Sequence, residues 1–189
     1  AVAIDGSLSV VAATLKKKPA GAGYVFALHS GTWSQVQKLT PPVAVGNAAR
    51  FGYSVSLSGT TLVVGAPLGD GQAVVYTWNG SAFTQQALLS DTVGEQFGCA
   101  VSVSGNIAAI GARYDDRGTA GGAVSVFRRV GVTWTLDERL KPADGALGDD
   151  FGTQVAVDEA TETLAVGAIF HPVATPTGAV YVFTEPAAT

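Results

Sequence analysis

The stretch Phe51–Pro67, FGYSVSLSGTTLVVGAP, decides the fold. It opens on Phe-Gly, alternates small polar and apolar residues to Ser58, turns at Ser58-Gly59-Thr60-Thr61, and runs on as a nearly continuous apolar segment. Alternation with a period of two describes a strand with one buried face, and the apolar run describes a strand covered on both faces. The same phrase returns as FGCAVSVSGNIAAIGA at Phe97–Ala112 and as FGTQVAVDEATETLAVGA at Phe151–Ala168. Recurrence at intervals of about fifty residues is the mark of a propeller or solenoid.

Working outward from 51–67, AVVYTW (73–78) and AFTQQALL (82–89) supply a third and a fourth strand. Asn79-Gly80 joins them, and that dipeptide predicts a tight hairpin with both turn residues at positive φ. Unit one reads VAID, SVVAA, GYVFALHS, a turn at Ser30-Gly31, then TWSQVQKL. Unit three reads FGCAVSVS, IAAIGA, GGAVSVFRR, a turn at Val130-Gly131, then TWTLDERL. Unit four reads FGTQVAVD, TLAVGA and GAVYVFTE, without a fourth strand. The units fall at approximately 1–50, 51–96, 97–150 and 151–189, the first and last incomplete, within a single domain 1–189. No segment shows a helical period, so the expectation is an all-β, propeller-like array of about four four-stranded antiparallel blades. Gly65, Gly111 and Gly167 hold one position in the second strands, where a missing side chain admits a neighbouring backbone. Phe51, Phe97 and Phe151 are expected to plug between blades. Phe26, Trp78, Phe127 and Phe183 are expected to end the third strands in register.

Composition agrees with a folded, turn-rich domain. Of 189 residues, 47% are hydrophobic and 14% charged, with 24 glycines. Disorder would need the opposite balance. The net charge of −4 and the lack of a basic block argue against a nucleic-acid surface, and Lys16–Lys18 reads as a solvated loop. No apolar stretch is long enough to predict a membrane helix. Cys99 is the lone cysteine, which leaves no internal disulfide, and it reads as a small buried hydrophobe. The chain has no methionine, and we read it as a mature chain from which any export signal has gone.

The Phe-Gly openings with Gly-Ala-Pro resemble the FG-GAP repeat of integrin alpha-chain propellers. The phrase LKPADGALGDDFG (140–152) with GAVYVF (178–183) is most similar to the FG-GAP repeats of secreted and cell-surface bacterial proteins. The resemblance spans the chain. It implies the propeller, with Phe51-Gly52, Phe97-Gly98 and Phe151-Gly152 as its structural signature, and an extracellular or cell-surface location; propellers host binding and catalysis alike, so the role is argued from the residues. Integrin-type repeats also carry an Asp-rich calcium loop between their first two strands. Here the equivalent spans are Ser58–Thr61, Ser104–Ile107 and Asp158–Thr163, none with the alternating acids that converge on a hard cation. The expected cofactor is therefore none, with Asp115 and Asp116 as weak metal candidates. Asp91, Glu95, Asp144, Asp149 and Asp150 are expected to bond backbone amides in the crossovers between units.

The residues offer no catalytic site. His29 and His171 are the two histidines, and no nucleophile elbow, zinc-type histidine pair or dinucleotide loop is present. Binding remains, in three forms: a protein partner held by blade loops, a glycan held on the repeated rings Trp33, Phe83 and Trp134, or a second copy recruited through exposed strand edges. For the three rings, core packing is the competing reading. Asn79-Gly80-Ser81 is also a formal glycosylation sequon.

Overall fold

A computed structural model describes residues 1–14, 21–45, 50–91, 95–114, 121–172, 175 and 177–184. The described residues hold fifteen strands. Unit 1 contributes β1 (Val2–Asp5), β2 (Leu8–Ala13), β3 (Ala22–His29) and β4 (Thr32–Leu39). Unit 2 contributes β5 (Ser54–Ser58), β6 (Thr61–Ala66), β7 (Gln72–Trp78) and β8 (Phe83–Leu89). Unit 3 contributes β9 (Glu95–Ser104), β10 (Ile107–Tyr114), β11 (Ala123–Val130) and β12 (Thr133–Leu140). Unit 4 contributes β13 (Phe151–Asp158), β14 (Thr163–Ala168) and β15 (Ala179–Thr184). One short 3-10 turn, Val43–Val45, interrupts the β pattern.

Each unit is its own antiparallel sheet with strands in chain order, four-stranded in units 1 to 3 and three-stranded in unit 4. The sheets pack face to face in sequence, and extensive strand packing runs only between consecutive units. This is a propeller-like array of blades. Its core lies in the three seams, where Phe51, Phe97 and Phe151 are each 0% exposed. Each of these rings meets an aromatic ring of its own unit's third strand edge-on: Phe51 with Tyr76 at 6.4 Å, Phe97 with Phe127 at 6.2 Å and Phe151 with Phe183 at 6.1 Å. Such T-shaped pairs add about 0.5–1.5 kcal/mol beyond burial. The third-strand ring in unit 2 is thus Tyr76 and not Trp78. Tyr76 pairs with Leu62 as Phe127 pairs with Ala108 and Phe183 with Leu164, whereas Trp78 lies two residues on and packs on Phe83.

The glycine after each phenylalanine turns the chain into the seam. Gly52, Gly98 and Gly152 have φ of 85°, 92° and 88°, a region that L side chains rarely adopt. Their backbones then press on the preceding unit. A Cβ on Gly65 would lie 2.1 Å from the Gly98 carbonyl oxygen, and one on Gly111 would lie 2.0 Å from that of Gly152. Gly167, at the same position in unit 4, has only Gln154 nearby, with Cβ at 3.6 Å.

The hairpins differ from expectation at two places. Ser30 and Gly31 both have positive φ, as a two-residue type I′ turn requires. Asn79 does not, and Trp78 pairs with Phe83, so the connection is four residues long. The Asn79 carboxamide oxygen instead accepts hydrogen bonds from the Ser81 and Ala82 amides, both at 3.0 Å, and this side-chain turn takes the place of the tight one. In unit 3, Val130 pairs with Thr133, which centres the turn on Gly131-Val132.

We predict that Gly111→Ala, whose methyl collides with rigid backbone, loses at least about 1–3 kcal/mol in urea unfolding. Gly167→Ala should stay within about 0.5 kcal/mol of wild type. Equal losses at the two positions would contradict the seam geometry.

Candidate functional site

Strand order places every connection on one of two rims. The turns from first to second and from third to fourth strand share the lower rim. The connections from second to third strand and the crossovers between units share the upper rim. The lower connections are short: 6–7, 30–31, 59–60, 105–106 and 131–132 have two residues each, and only 79–82 and 159–162 are longer. The upper second-to-third-strand connections span 14–21, 67–71, 115–122 and 169–178.

The lower part of each seam is tied by side chains that accept backbone hydrogen bonds from the next unit. Asp5 accepts from the Gly59 amide at 2.6 Å, Ser58 from Gly105 at 3.2 Å, and Ser104 from Glu159 at 3.1 Å. One step inward, Ser56 accepts from Val103 at 3.0 Å and Ser102 from Val157 at 3.1 Å. Arg129 adds a cross-unit clamp, donating to Thr61, Asn106 and the Gly105 carbonyl. Glu159 of unit 4 accepts from both nitrogens of Asn106 in unit 3. These serines and this arginine carry no recognisable sequence signal. Only the alternation of Ser56, Ser58, Ser102 and Ser104 could have pointed to them.

The upper rim holds the histidine cluster. The Asp149 carboxylate, 0% exposed, lies 2.8 Å from His171 Nδ1 and accepts the Ala146 amide at 2.7 Å. His171 Nε2 lies 3.6 Å from Asp144 Oδ2, and the Tyr181 hydroxyl donates to Asp144 Oδ1 at 2.8 Å. The imidazole therefore sits between two carboxylates. The hydrogen bond to Asp149 raises its pKa above the usual value; burial opposes this, and the charges of Asp149 and Asp144 reinforce it. Burial, followed by the bond to Asp144, pushes Tyr181 up to about 12. Among the expected amide acceptors whose side chains are described, only Asp149 behaves as such. Asp91 instead accepts from the Ser125 hydroxyl and faces Arg139 at 3.7 Å. Asp144 pairs with side chains, and the buried Asp150 contributes its backbone carbonyl, which accepts from Thr153. The side chain of Glu95, Lys16–Lys18 and the metal candidates Asp115 and Asp116 lie outside the described residues. No group of three or more His, Cys, Asp or Glu side chains is arranged to hold a metal ion among the described residues.

Between the units, the first strands line an axial cavity of about 300 Å³, with Tyr53, Ser54, Ala100 and Gln154 on its wall. Cys99 also borders it, but its thiol is buried, points at the Gly111 and Gly152 carbonyls, and has its pKa raised by that burial.

The three repeated rings are equivalent in register, opposite Leu28, Trp78 and Arg129, yet they meet different fates. Phe83 is 3% exposed, and its backbone is gripped at both amide and carbonyl by Gln37 of unit 1. Trp134 is 8% exposed, donates to Gln86 of unit 2 at 2.8 Å and lies under Arg129. Both are seam residues and offer no open plate. Trp33, with no described unit before it, is 41% exposed.

Fold and seams together define a β-propeller-type repeat domain. A family model described as the FG-GAP repeat matches residues 33–85, 83–127 and 134–183. The chain belongs to that family. Among solved structures, the crystal structure of the computationally designed Ika4 protein aligns with a TM-score of 0.58 at 16% identity, over 98% of this chain and 89% of that one. A chain in the crystal structure of the mitotic checkpoint complex aligns at 0.54 and 19% identity over 96% of this chain. A europium-containing methanol dehydrogenase aligns at 0.57 and 12% identity, also over 96%. This chain spans 49% and 38% of those two. At such identities the likeness is one of fold. No curated protein matches the chain in sequence. No helix among the described residues is long and apolar enough to cross a membrane.

The His171 pair is testable by pH. A folded-state pKa above 6.5 means that its stabilisation is complete below that pH and is lost as pH rises through the raised value. The difference in Tm between wild type and His171→Asn should be largest in acid and shrink as pH climbs. A difference that grows with pH would contradict the pairing.

Proposed function

We propose that this domain is a non-catalytic binding module that recognises a protein partner through its upper-rim loops, outside the cell or on its surface. The observation that carries this reading is the asymmetry of the rims. One is built mostly of two-residue turns and bound by cross-unit hydrogen bonds, while the other carries the longer, unequal connections. Binding residues concentrate on loops held by a rigid scaffold. The non-catalytic reading rests on the titratable cluster. General-base activation needs a nucleophile within hydrogen-bond reach of the imidazole. Both nitrogens of His171 face carboxylates instead. The FG-GAP family supports placement at the cell exterior.

Binding to immobilised fibronectin, laminin and fibrillar collagen tests the reading. At least one should bind, and Asp70→Ala or Asp144→Ala on the upper rim should weaken it by about threefold or more. Ser30→Ala and Val132→Ala on the lower rim should leave it unchanged. Binding that follows the lower-rim variants would reverse the assignment. A second reading, glycan recognition, is favoured by the exposure of Trp33. A glycan array with signal lost in Trp33→Ala would support it.

A further inference from the structure

On the upper rim, His171 Nε2 faces Asp144 Oδ2 across 3.6 Å. That is too long for a hydrogen bond, which between nitrogen and oxygen closes at about 2.7–3.2 Å. Each of the two atoms belongs to a group whose other polar atom is already engaged. His171 Nδ1 lies 2.8 Å from Asp149 Oδ2, and Asp144 Oδ1 accepts the Tyr181 hydroxyl at 2.8 Å.

These contacts fix what the gap presents. The Asp149 side chain is 0% exposed, and its carboxylate can only accept, so Nδ1 carries the proton of that bond. In the neutral imidazole the lone pair then sits on Nε2 and faces a carboxylate oxygen. Two acceptors set opposite one another repel unless something positive stands between them. A second proton on the imidazole is one answer, although 3.6 Å leaves it without a hydrogen bond to Asp144. A metal cation is the other, and it uses both lone pairs at once.

The distance suits a metal. A zinc ion about 2.1 Å from each atom would see them at about 120°, near the tetrahedral angle. An imidazole nitrogen with a carboxylate oxygen is a donor set for zinc and its neighbours, whereas calcium takes six to eight oxygens. The surroundings are also those of a histidine ligand. A carboxylate on the far ring nitrogen fixes the tautomer and raises the basicity of the ligating one, and ligating carboxylates are themselves hydrogen-bonded. Asp149 does the first here and Tyr181 the second.

The four side chains come from three segments. Asp144 and Asp149 stand on the crossover between β12 and β13, His171 on the connection between β14 and β15, and Tyr181 on β15. Tyr181 faces the inner seam, with its ring 5.3 Å from Phe151, so the gap lies at the junction of units 3 and 4 and not on an end face. The His171 side chain is 17% exposed and that of Asp144 66%, which leaves the outer side of the gap open to water.

We propose that His171 and Asp144 form a two-ligand site for a zinc-type dication, bound by Nε2 and Oδ2, with Asp149 and Tyr181 holding the ligands in place and water completing the coordination. The ion would join the crossover into unit 4 to the connection after β14. The site stands apart from the turns between first and second strands, and it does not depend on the partner-binding reading of the upper rim.

Isothermal titration of the full chain with zinc chloride at neutral pH tests the proposal. Wild type should take up one equivalent. His171→Asn and Asp144→Asn should each weaken uptake by about tenfold or more, and Tyr181→Phe by about tenfold. His29→Asn should bind as wild type does, and calcium chloride should give no binding heat. Asp144 is largely exposed, so Asp144→Asn should keep the wild-type far-UV circular dichroism and decides the matter even where His171→Asn folds poorly. In nitrogen-15 NMR, zinc should shift the Nε2 resonance of His171 while Nδ1 keeps its proton. Wild type that takes up no zinc, uptake undiminished in any of the three site variants, uptake lost in His29→Asn, calcium binding in place of zinc, or ligation through Nδ1 would each overturn the proposal.

Discussion

In two of the three seams a carbonyl oxygen rests on a second-strand glycine. Where Gly98 meets Gly65, and Gly152 meets Gly111, no room exists for a single methyl group. In the first seam Ala12 holds that position beside Gly52, and what all three seams share is the Phe-Gly bend. The phenylalanine one residue earlier is driven fully into the apolar layer, edge-on to the third-strand ring. The first strands are brought close enough for serine hydroxyls to accept amides from the neighbouring unit. The backbone must bend sharply to make the approach, which accounts for the left-handed glycine in each Phe-Gly pair. In units 2, 3 and 4 the residue before the phenylalanine is left-handed too: Arg50 at 54°, Gln96 at 62° and Asp150 at 56°. Non-glycine residues in that region cost of order 1 kcal/mol, and they persist because the seam around them fixes the bend.

The two rims divide the labour of the domain. Cross-unit hydrogen bonds accumulate at the lower rim, where most turns are short. The upper rim is fixed mainly by the Phe-Gly bend, so the connections there can differ in length without disturbing a seam. The Asp149–His171 contact shows what that freedom allows. It links the crossover into unit 4 with the loop after β14, and it appears in unit 4 alone, since the other units have no histidine in the corresponding loop. A scaffold of this kind places variable chemistry on a constant frame, which is the physical basis for expecting recognition at that edge.

Most of the fold was legible because the repeat is written in residues that have few alternatives. Phe-Gly, the second-strand glycine and the alternation of the first strand each demand one local geometry, and together they located the strands and seams. What could not be read falls into two kinds. Asn79-Gly80 carried the strongest hairpin signal in the chain, but the Asn79 side chain found amide partners in a longer loop, and local hydrogen bonding won over dipeptide preference. The rings Trp33, Phe83 and Trp134 are equivalent in sequence and register, so sequence alone had no means of separating them. Their exposure depends on whether another unit stands in front, a property of position in the array. The His171–Asp149–Asp144 cluster was invisible for a third reason: His171 stands 22 residues after Asp149, on a different connection from the crossover that carries both aspartates, and only the fold brings them together.

The same dependence on position bears on stability. In a repeat array each unit is stabilised by its own hydrogen bonds and by the seams it shares. Units 2 and 3 have two seams each, and their second and third strands hold the largest share of fully buried side chains: Leu62, Val63, Val64, Val74, Val75, Ile110 and Val124. Among the described residues units 1 and 4 have one seam each, and β15 alternates between half-buried and exposed residues. Opening is easiest where apolar residues meet water on one face, as at Val180 and Val182 of β15. Covering that face, whatever covers it, adds burial where the array has least and leaves the inner seams unchanged.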